Sequence, residues 1–382
     1  MLKSASAPQA ADRPLVVHVV RQFWPNRGGL EDVVLNLCRQ GLAAGYRIRV
    51  VTLNSLFSDP DLKLADHETH EGVEIVRIPW RGSSRYPVAP SVLKHIGDAD
   101  LVHVHAIDFF FDFLALTRLA HGKRMIVTTH GGFFHTRKFA AIKSIWFNTL
   151  TRFSASQYRF VIGCSGSDVE TFAAITKRNL AKIENGADTG KFHDRAALAA
   201  HKRIITIGRF SSNKRIDRLI EVAARLVKKD PSWRLDIVGV DSDLTGREIT
   251  AMAAKAGVAE AVTVHVGLPN DDVADLVSQA SLYASASDYE GFGLVAIEAM
   301  SAGLKPVLEA NAAFQSLADR HDVIRLTDFS VPERAAAALE ESWQALSRDP
   351  GAFRARAISQ AGDYSWDRVA GLYFDLYRQA AA

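Results

Sequence analysis

The chain has 382 residues, 48% hydrophobic and 23% charged, a balance that supplies a packed core and excludes an intrinsically disordered protein. At roughly 150 residues per domain the length points to two domains and excludes a single small binding module. The net charge of +3 is a cancellation: residues 1–186 hold 23 Lys and Arg against 16 Asp and Glu, a balance of +7, and residues 187–382 hold 23 against 27, a balance of −4. A basic half calls for an anionic partner, whether nucleic acid, a membrane surface or a phosphorylated substrate.

The first residues contain no apolar run of signal-peptide length, and charges interrupt every later apolar stretch before it spans a bilayer. Any membrane contact is therefore expected to be peripheral. A strand follows at Leu15–Val20, then a loop with Pro25, Gly28 and Gly29, then a helix that includes Glu31–Leu37. Cys38 on that helix and the distant Cys164 are the only cysteines, so no disulfide partner is expected and a reducing, cytoplasmic setting fits. Further strands are predicted at Arg47–Leu53, Val73–Ile78, Leu101–His105, Met125–Thr129 and Phe160–Ser165, with helices between them. After a turn-rich stretch at Ile183–Asp188 the alternation restarts at Arg203–Gly208. It continues through Leu235–Gly239, Val262–Val266, Ser281–Ala284 and Pro306–Leu308. The fold class is α/β, with two Rossmann-like doubly wound parallel-sheet domains. The expected boundaries are residues 1–187, residues 188–365 and a terminal segment, 366–382.

Gly28-Gly29 between a strand and a helix leaves backbone N–H groups open to an anion, or serves only a tight turn. Gly208-Arg209-Phe210-Ser211-Ser212-Asn213-Lys214 lies where the first strand of the second half ends, the edge at which open α/β sheets bind ligands. There Arg209 and Lys214 suit a diphosphate leaving group, unless they are solvated surface cations. The segment from Asp288 to Met300 is the most informative. A loop carrying Glu290, Gly291, Phe292 and Gly293 opens a helix on which Glu298 stands among Val295, Ala296, Ile297, Ala299 and Met300. A carboxylate among apolar neighbours is costly without partners, which marks Glu298 as functional.

These motifs, in this order and together with Thr129-His130-Gly131 and Asn185-Gly186, resemble the retaining glycosyltransferases of the GT-B fold, family 4. Val20-Arg21-Gln22-Phe23, Arg81 to Pro87, Ile107-Asp108-Phe109-Phe110 and Thr129 to Thr136 are similar to the α-mannosyltransferases of xanthan- and acetan-type polysaccharide assembly. The resemblance implies two domains facing across a cleft, with the last helix, carrying Trp366, Tyr373 and Phe374, crossing back to the first. It implies transfer of mannose from GDP-mannose, a nucleotide-sugar, to a lipid-linked saccharide at the cytoplasmic membrane face. Gly29 would lie against the donor phosphates, Arg209 and Lys214 would hold the diphosphate, and Glu298 the ribose hydroxyls. Glu290 and the amides of Gly291, Phe292 and Gly293 would contact the transferred sugar, with His130 beneath it. Retention by front-face attack needs no enzymic nucleophile, and catalysis would rest on stabilising the departing diphosphate.

Three Asp-x-Asp triplets, at Asp59, Asp98 and Asp241, raise a metal-dependent alternative, but no cofactor is expected to be required and a divalent ion is not expected to be essential. His103 and His105 face one side of a strand without a metal-binding spacing, so no metal site is assigned. Asp108 and Asp112, among phenylalanines, touch an acceptor hydroxyl, serve helix capping or lie on a solvated face. From Arg137 to Phe160, Phe139, Ile142, Trp146, Leu150 and Phe153 form one helical stripe opposite Arg137, Lys138, Arg152 and Arg159. With Lys143 and the resemblance to enzymes with lipid acceptors, this stripe suggests an anionic membrane surface as partner, the other reading being packing on its own sheet. A diacylglycerol glycosyltransferase using UDP-glucose, UDP-galactose or UDP-glucuronate would keep every motif. A non-enzymic anion-binding module would not need Glu290 and Glu298, and nucleic acid is disfavoured because the basic residues lack interleaved aromatics.

Overall fold

The computed structural model describes residues 13–131 and 145–382. The chain divides into two compact units, Met1–Gly186 with Trp366–Ala382, and Ala187–Ser365.

In the first unit, strands β1 (Leu15–Val19), β2 (Arg47–Leu53), β3 (His67–His70), β4 (Val73–Ile78), β7 (Leu101–His105), β8 (Met125–Thr128), β9 (Phe160–Gly163) and β10 (Leu180–Lys182) build one sheet. A separate hairpin, β5 (Arg81–Ser83) with β6 (Tyr86–Val88), stands apart from it. The sheet order is β10-β9-β8-β7-β1-β2-β4-β3, parallel throughout except that β3 runs antiparallel to β4. The central strands are buried on both faces, which explains their near-continuous apolar runs. Their alternation sorts two cores. Val17, Val19, Val102, Val104 and Val127 pack on the side of the sheet where helices α2 (Phe109–Leu116) and α3 (Gly166–Ala173) lie. Val16, Val50, Ile75, Leu101 and Ile126 face helix α1 (Gly29–Ala43) and the C-terminal helix Trp366–Ala381, whose Val369, Tyr373, Phe374 and Tyr377 complete that core.

The second unit has strands β11 (Arg203–Ile207), β12 (Arg234–Gly239), β13 (Val262–Val266), β14 (Leu282–Ser285), β15 (Lys305–Glu309) and β16 (Arg325–Thr327), in the all-parallel order β13-β12-β11-β14-β15-β16. Helices α4 (Ile216–Lys229), α5 (Gly246–Lys255) and α9 (Pro332–Arg348) cover the face of Ile204, Leu235, Ile237 and Leu282. Helices α6 (Asn270–Val277), α7 (Leu294–Ala302), α8 (Ala312–Ala318) and α10 (Pro350–Ala361) cover the face of Ile205, Val238, Tyr283 and Leu308. Each unit is thus a doubly wound α/β sheet. The order reverses between β1 and β7 in one and between β11 and β14 in the other, and ligands of such sheets bind at the carboxyl ends of those strands.

The predicted strands all form, some with the predicted ends and the others with an end displaced by one or two residues. Strands β3, β5, β6, β10 and β16 were not predicted, because they are short, polar or held at sheet edges by a partner distant in sequence.

Candidate functional site

In the second unit the loops that leave β11 and β14 meet at the reversal of strand order. Lys214 Nζ donates to Glu290 Oε1 at 2.6 Å, both side chains being partly buried. Two further ties join the same loops, Asp288 N donating to Asn213 O at 2.9 Å and Asn213 Nδ2 to Tyr289 O at 3.1 Å, and Arg218 Nη1 on helix α4 donates to Asp288 Oδ1 at 2.7 Å. A small recess beside them is lined by Gly208, Arg209, Phe210, Lys214 and Ser285. Arg209 itself is exposed at the rim. Two cations and a carboxylate therefore crowd the carboxyl edge of this sheet, an arrangement able to neutralise an anion and accept hydroxyl protons.

Helix α7 begins beside that loop. Gly293 caps its N-terminus in the left-handed region, at φ 86°, and a Cβ there would stand 2.9 Å from the Phe314 ring. Only glycine meets both demands. Gly291 is exposed, and Phe292 sets its ring edge-on to Tyr364 at 5.7 Å. Two turns into the helix, the side chain of Glu298 is 13% exposed and pairs with Lys191 Nζ at 3.4 Å. Burial pushes its carboxyl above the ordinary value, and Lys191 pulls the other way. Lys191 escaped the sequence reading, since it lies 107 positions from its partner in a segment without a motif.

In the first unit, Gly28 is the N-cap of α1, where a Cβ would be 2.6 Å from Glu31 Oε2, while a Cβ on the exposed Gly29 would meet nothing within 4 Å. The turn after β8 holds His130 at φ 55°, followed by Gly131 at φ 72°. Asp168, at the start of α3, fixes this turn. Its Oδ2 accepts from Thr129 Oγ1, from Gly131 N at 3.2 Å and from Cys164 N at 3.3 Å. Burial pulls His130 down to about 4, against the Asp168 charge, so its ring is neutral. Asp168 was not singled out from the sequence; 39 residues separate it from Thr129.

Asp108 caps α2 by accepting from Phe110 N at 3.0 Å and is buried, its Oδ2 without a hydrogen-bond partner; burial pushes its carboxyl up to about 7. Asp112 is also buried and accepts from Ser154 Oγ at 2.7 Å and Tyr86 OH at 3.0 Å, tying the β5–β6 hairpin to the helix that contains Ser154. Neither carboxylate lies on a solvated face.

Phe139 and Lys143 lie outside the described residues, as do Arg137, Lys138 and Ile142. The described remainder of that stripe corrects the expected helix. Phe147–Thr151 forms a π-helical turn, Arg152–Ser156 is α-helical, and the helix ends before β9. The wider turn shifts the phase, so Phe147, Thr151, Ser154 and Ala155 are buried. Trp146, 43% exposed, packs edge-on against Tyr86 with ring centroids 6.3 Å apart, while Phe153, 48% exposed, and its neighbour Arg152 are exposed. Among the described residues no helix is long and apolar enough to cross a membrane.

Two of the three aspartate triplets have other employment. Asp98 pairs with Arg49 at 2.7 Å and Asp100 accepts from Leu15 N at 2.7 Å. Asp241 accepts from Gly246 N at 2.8 Å, and Asp243 from Ser212 N and Oγ at 2.9 and 3.0 Å. His18, His103 and His105 do cluster, fully buried, with ligand-type nitrogens within 4.8 Å of one another. His103 and His105 share one face of β7, as their alternation requires.

Two doubly wound units, the second bearing a cation-rich edge and a carboxylate-bearing helix, define the architecture of GT-B glycosyltransferases. The family description "Glycosyltransferase Family 4" matches residues 27–191, and "Glycosyl transferases group 1" matches residues 191–363. Over 96% of its length the chain is 41% identical to the GDP-mannose:cellobiosyl-diphosphopolyprenol alpha-mannosyltransferase of Xanthomonas campestris, covering 97% of that protein. It is 40% identical to the protein of that name from Komagataeibacter xylinus, over 95% of this chain and 93% of the relative. The solved glycosyltransferase from Rickettsia africae shares the fold, with a TM-score of 0.73 and 15% identity over 97% of this chain and 99% of that one. The chain belongs to glycosyltransferase family 4 and is a glycosyltransferase enzyme.

Proposed function

We propose that this enzyme transfers mannose from GDP-mannose, with retention, to a saccharide carried on polyprenyl diphosphate, working peripherally at the cytoplasmic face of the membrane. The observation that carries this reading is the 41% identity, over nearly the whole of both chains, to a relative named for that donor and that class of acceptor. In this reading Arg209 and Lys214 neutralise the departing diphosphate, and Glu298 holds the ribose hydroxyls. Gly28 and Gly29 allow the donor phosphates to approach. Glu290, with the amides of Gly291, Phe292 and Gly293, and His130 serve the transferred sugar. The leaving phosphate oxygen takes the acceptor proton, so no nucleophile or metal is required, and the neutral His130 adds no charge. The outward Trp146 and Phe153 beside Arg152 support a lipid-facing role for the first unit.

The deciding experiment supplies purified enzyme with radiolabelled GDP-mannose and a lipid extract containing diphosphopolyprenol-linked oligosaccharide. UDP-glucose, UDP-galactose and UDP-glucuronate run in parallel, with diacylglycerol as the other acceptor. An α-mannosylated polyprenyl product, formed undiminished with a chelator present, is expected. Transfer only from a UDP-sugar to diacylglycerol would replace this reading, and activity restored only by manganese would overturn its metal-free part.

A further inference from the structure

Four histidines stand in contact at the carboxyl edge of the first unit's sheet, and the reaction as described uses one of them. His18 on β1 is in register with His103 on β7, and His105 is in register with Thr128, the last residue of β8 and two before His130. His18, His103 and His105 therefore project on the face that otherwise carries Val16, Leu101 and Ile126 toward α1 and the C-terminal helix. Burying three imidazoles in an apolar core is costly unless their ring nitrogens satisfy one another.

They do so in two groups. His103 places Nδ1 2.9 Å from Tyr377 OH and Nε2 2.9 Å from Thr128 Oγ1, which occupies both of its nitrogens. His18 Nδ1 lies 2.9 Å from His105 Nε2, and His105 Nδ1 lies 2.9 Å from His130 Nε2. His18 Nε2 is buried without a partner. A neutral imidazole has one N–H and one bare nitrogen, so this chain has only two self-consistent states. If His105 donates through Nδ1 to His130, its bare Nε2 must accept from His18 Nδ1, and all three rings carry the proton on Nδ1. If His105 donates through Nε2 to His18, then His130 must donate inward, and all three carry it on Nε2. Any mixture sets two protons or two lone pairs face to face.

We propose that His18 and His105 are positioning residues, a tautomer relay that locks the His130 ring so that its remaining nitrogen, Nδ1, meets a ligand in one fixed donor or acceptor role. The buried end of the relay sets the character of the outward end, two residues away. A metal centre is the competing use of these rings. It is disfavoured because His103 has both nitrogens engaged and because the 2.9 Å contacts are hydrogen-bond lengths, shorter than the roughly 3.3 Å between ligand nitrogens around tetrahedral zinc. The catalytic consequence rests on the reading that His130 serves the transferred sugar; the tautomer lock does not.

The test separates these. Long-range proton–nitrogen correlation spectra of the whole enzyme labelled with 15N-histidine, assigned with single His-to-Phe variants, report the tautomer of each ring without substrate. Three neutral rings sharing one tautomer near neutral pH are expected. A mixed set, an imidazolium among them, or a stoichiometric shift of their signals on adding zinc alone would overturn the relay. His18→Phe, which keeps a planar buried ring, is then expected to leave His130 exchanging between tautomers and to lower kcat about tenfold with KM for the sugar nucleotide nearly unchanged. A wild-type kcat in that variant, once circular dichroism shows it folded, would overturn the positioning role. If the variant does not fold, the wild-type spectra still decide. A shared tautomer with no effect of His130→Phe on turnover would uphold the lock and remove His130 from the reaction.

Discussion

Lys214 Nζ and Glu290 Oε1 stand 2.6 Å apart although 76 residues separate them in the chain. Each lies on a loop leaving one of the two strands that flank the reversal of sheet order, so the topology brings them together and the ion pair closes the gap. Because Lys214 is already held by Glu290, it would lose less side-chain freedom in taking up the diphosphate of the proposed donor. Lys214→Ala and Arg209→Ala are each expected to lower kcat by about 10²- to 10³-fold, the usual scale for removing one donor aimed at developing charge. Both positions are at least partly exposed, so the melting temperature should move little. Steady-state kinetics on the purified variants checks this, and a near-normal rate in either defeats the assignment.

Glu298 points to a trade between stability and binding. Its carboxyl is raised above the ordinary value by burial, so the folded state binds the proton more tightly than the unfolded chain does. The sign follows: the unfavourable contribution is absent below the unfolded value of 4.5 and grows as pH rises through the folded value. Glu298→Gln removes the charge and keeps an acceptor for Lys191. It is expected to melt about 1–3 °C higher than the wild type at neutral pH while KM for the sugar nucleotide rises about tenfold. Calorimetry beside initial-rate kinetics tests both halves. An unchanged KM would remove Glu298 from the donor site.

That same residue shows what the sequence makes legible. A lone glutamate between Ile297 and Ala299 is visible as a buried charge because helical neighbours are local, and the strands are visible because both their faces are buried. The rest depends on contacts between distant segments. Lys191 reaches Glu298 across 107 positions, and Asp168 gathers the Thr129–Gly131 turn from a helix that begins after the next strand. Strand β3, with the sequence His67-Glu68-Thr69-His70, has no apolar pattern and exists because β4 offers it an edge. Trp146, Leu150 and Phe153 were set on one stripe opposite Arg152 with a uniform 100° per residue, and the π-helical turn at Phe147–Thr151 breaks that assumption. His103 and His105 were correctly set on one face, but only the register of β1 against β7 reveals that His18 joins them.

The buried histidines also predict acid sensitivity. Burial pulls His18 down to about 3 and His130 to about 4, and holds His103 and His105 well below the ordinary value. In the unfolded chain each takes a proton near pH 6.5, so the unfolded state binds more protons below that point. Their contribution to stability is full above pH 6.5 and is lost progressively as pH falls toward about 4 for His130 and about 3 for His18. Melting curves across this window should show a steep acid loss in the wild type and a shallower one in His18→Phe. An equal slope in the two proteins would mean that His18 is not buried in neutral form.

The outward apolar residues near Trp146 make the membrane reading testable. Ile145 is 66% exposed, Trp146 43% and Phe153 48%, with Arg152 exposed beside them. An isolated exposed apolar residue means little, but three in one short helical stretch that also carries the exposed Arg152, on the half of the chain with a balance of +7, have the composition of an interfacial surface. Ile145→Ser and Phe153→Ser remove apolar area from positions that contribute little to the core, so the double variant should melt within about 2 °C of the wild type. Its sedimentation with vesicles containing phosphatidylglycerol should fall about tenfold or more, each fully inserted large side chain contributing about 1.5–3 kcal/mol. The wild type should itself release in about 0.5 M salt, where the Debye length is only about 4 Å, because the basic half supplies the attraction that brings this surface to the lipid. Failure of the wild type to sediment with anionic vesicles even at low salt would remove the membrane from the first unit's role.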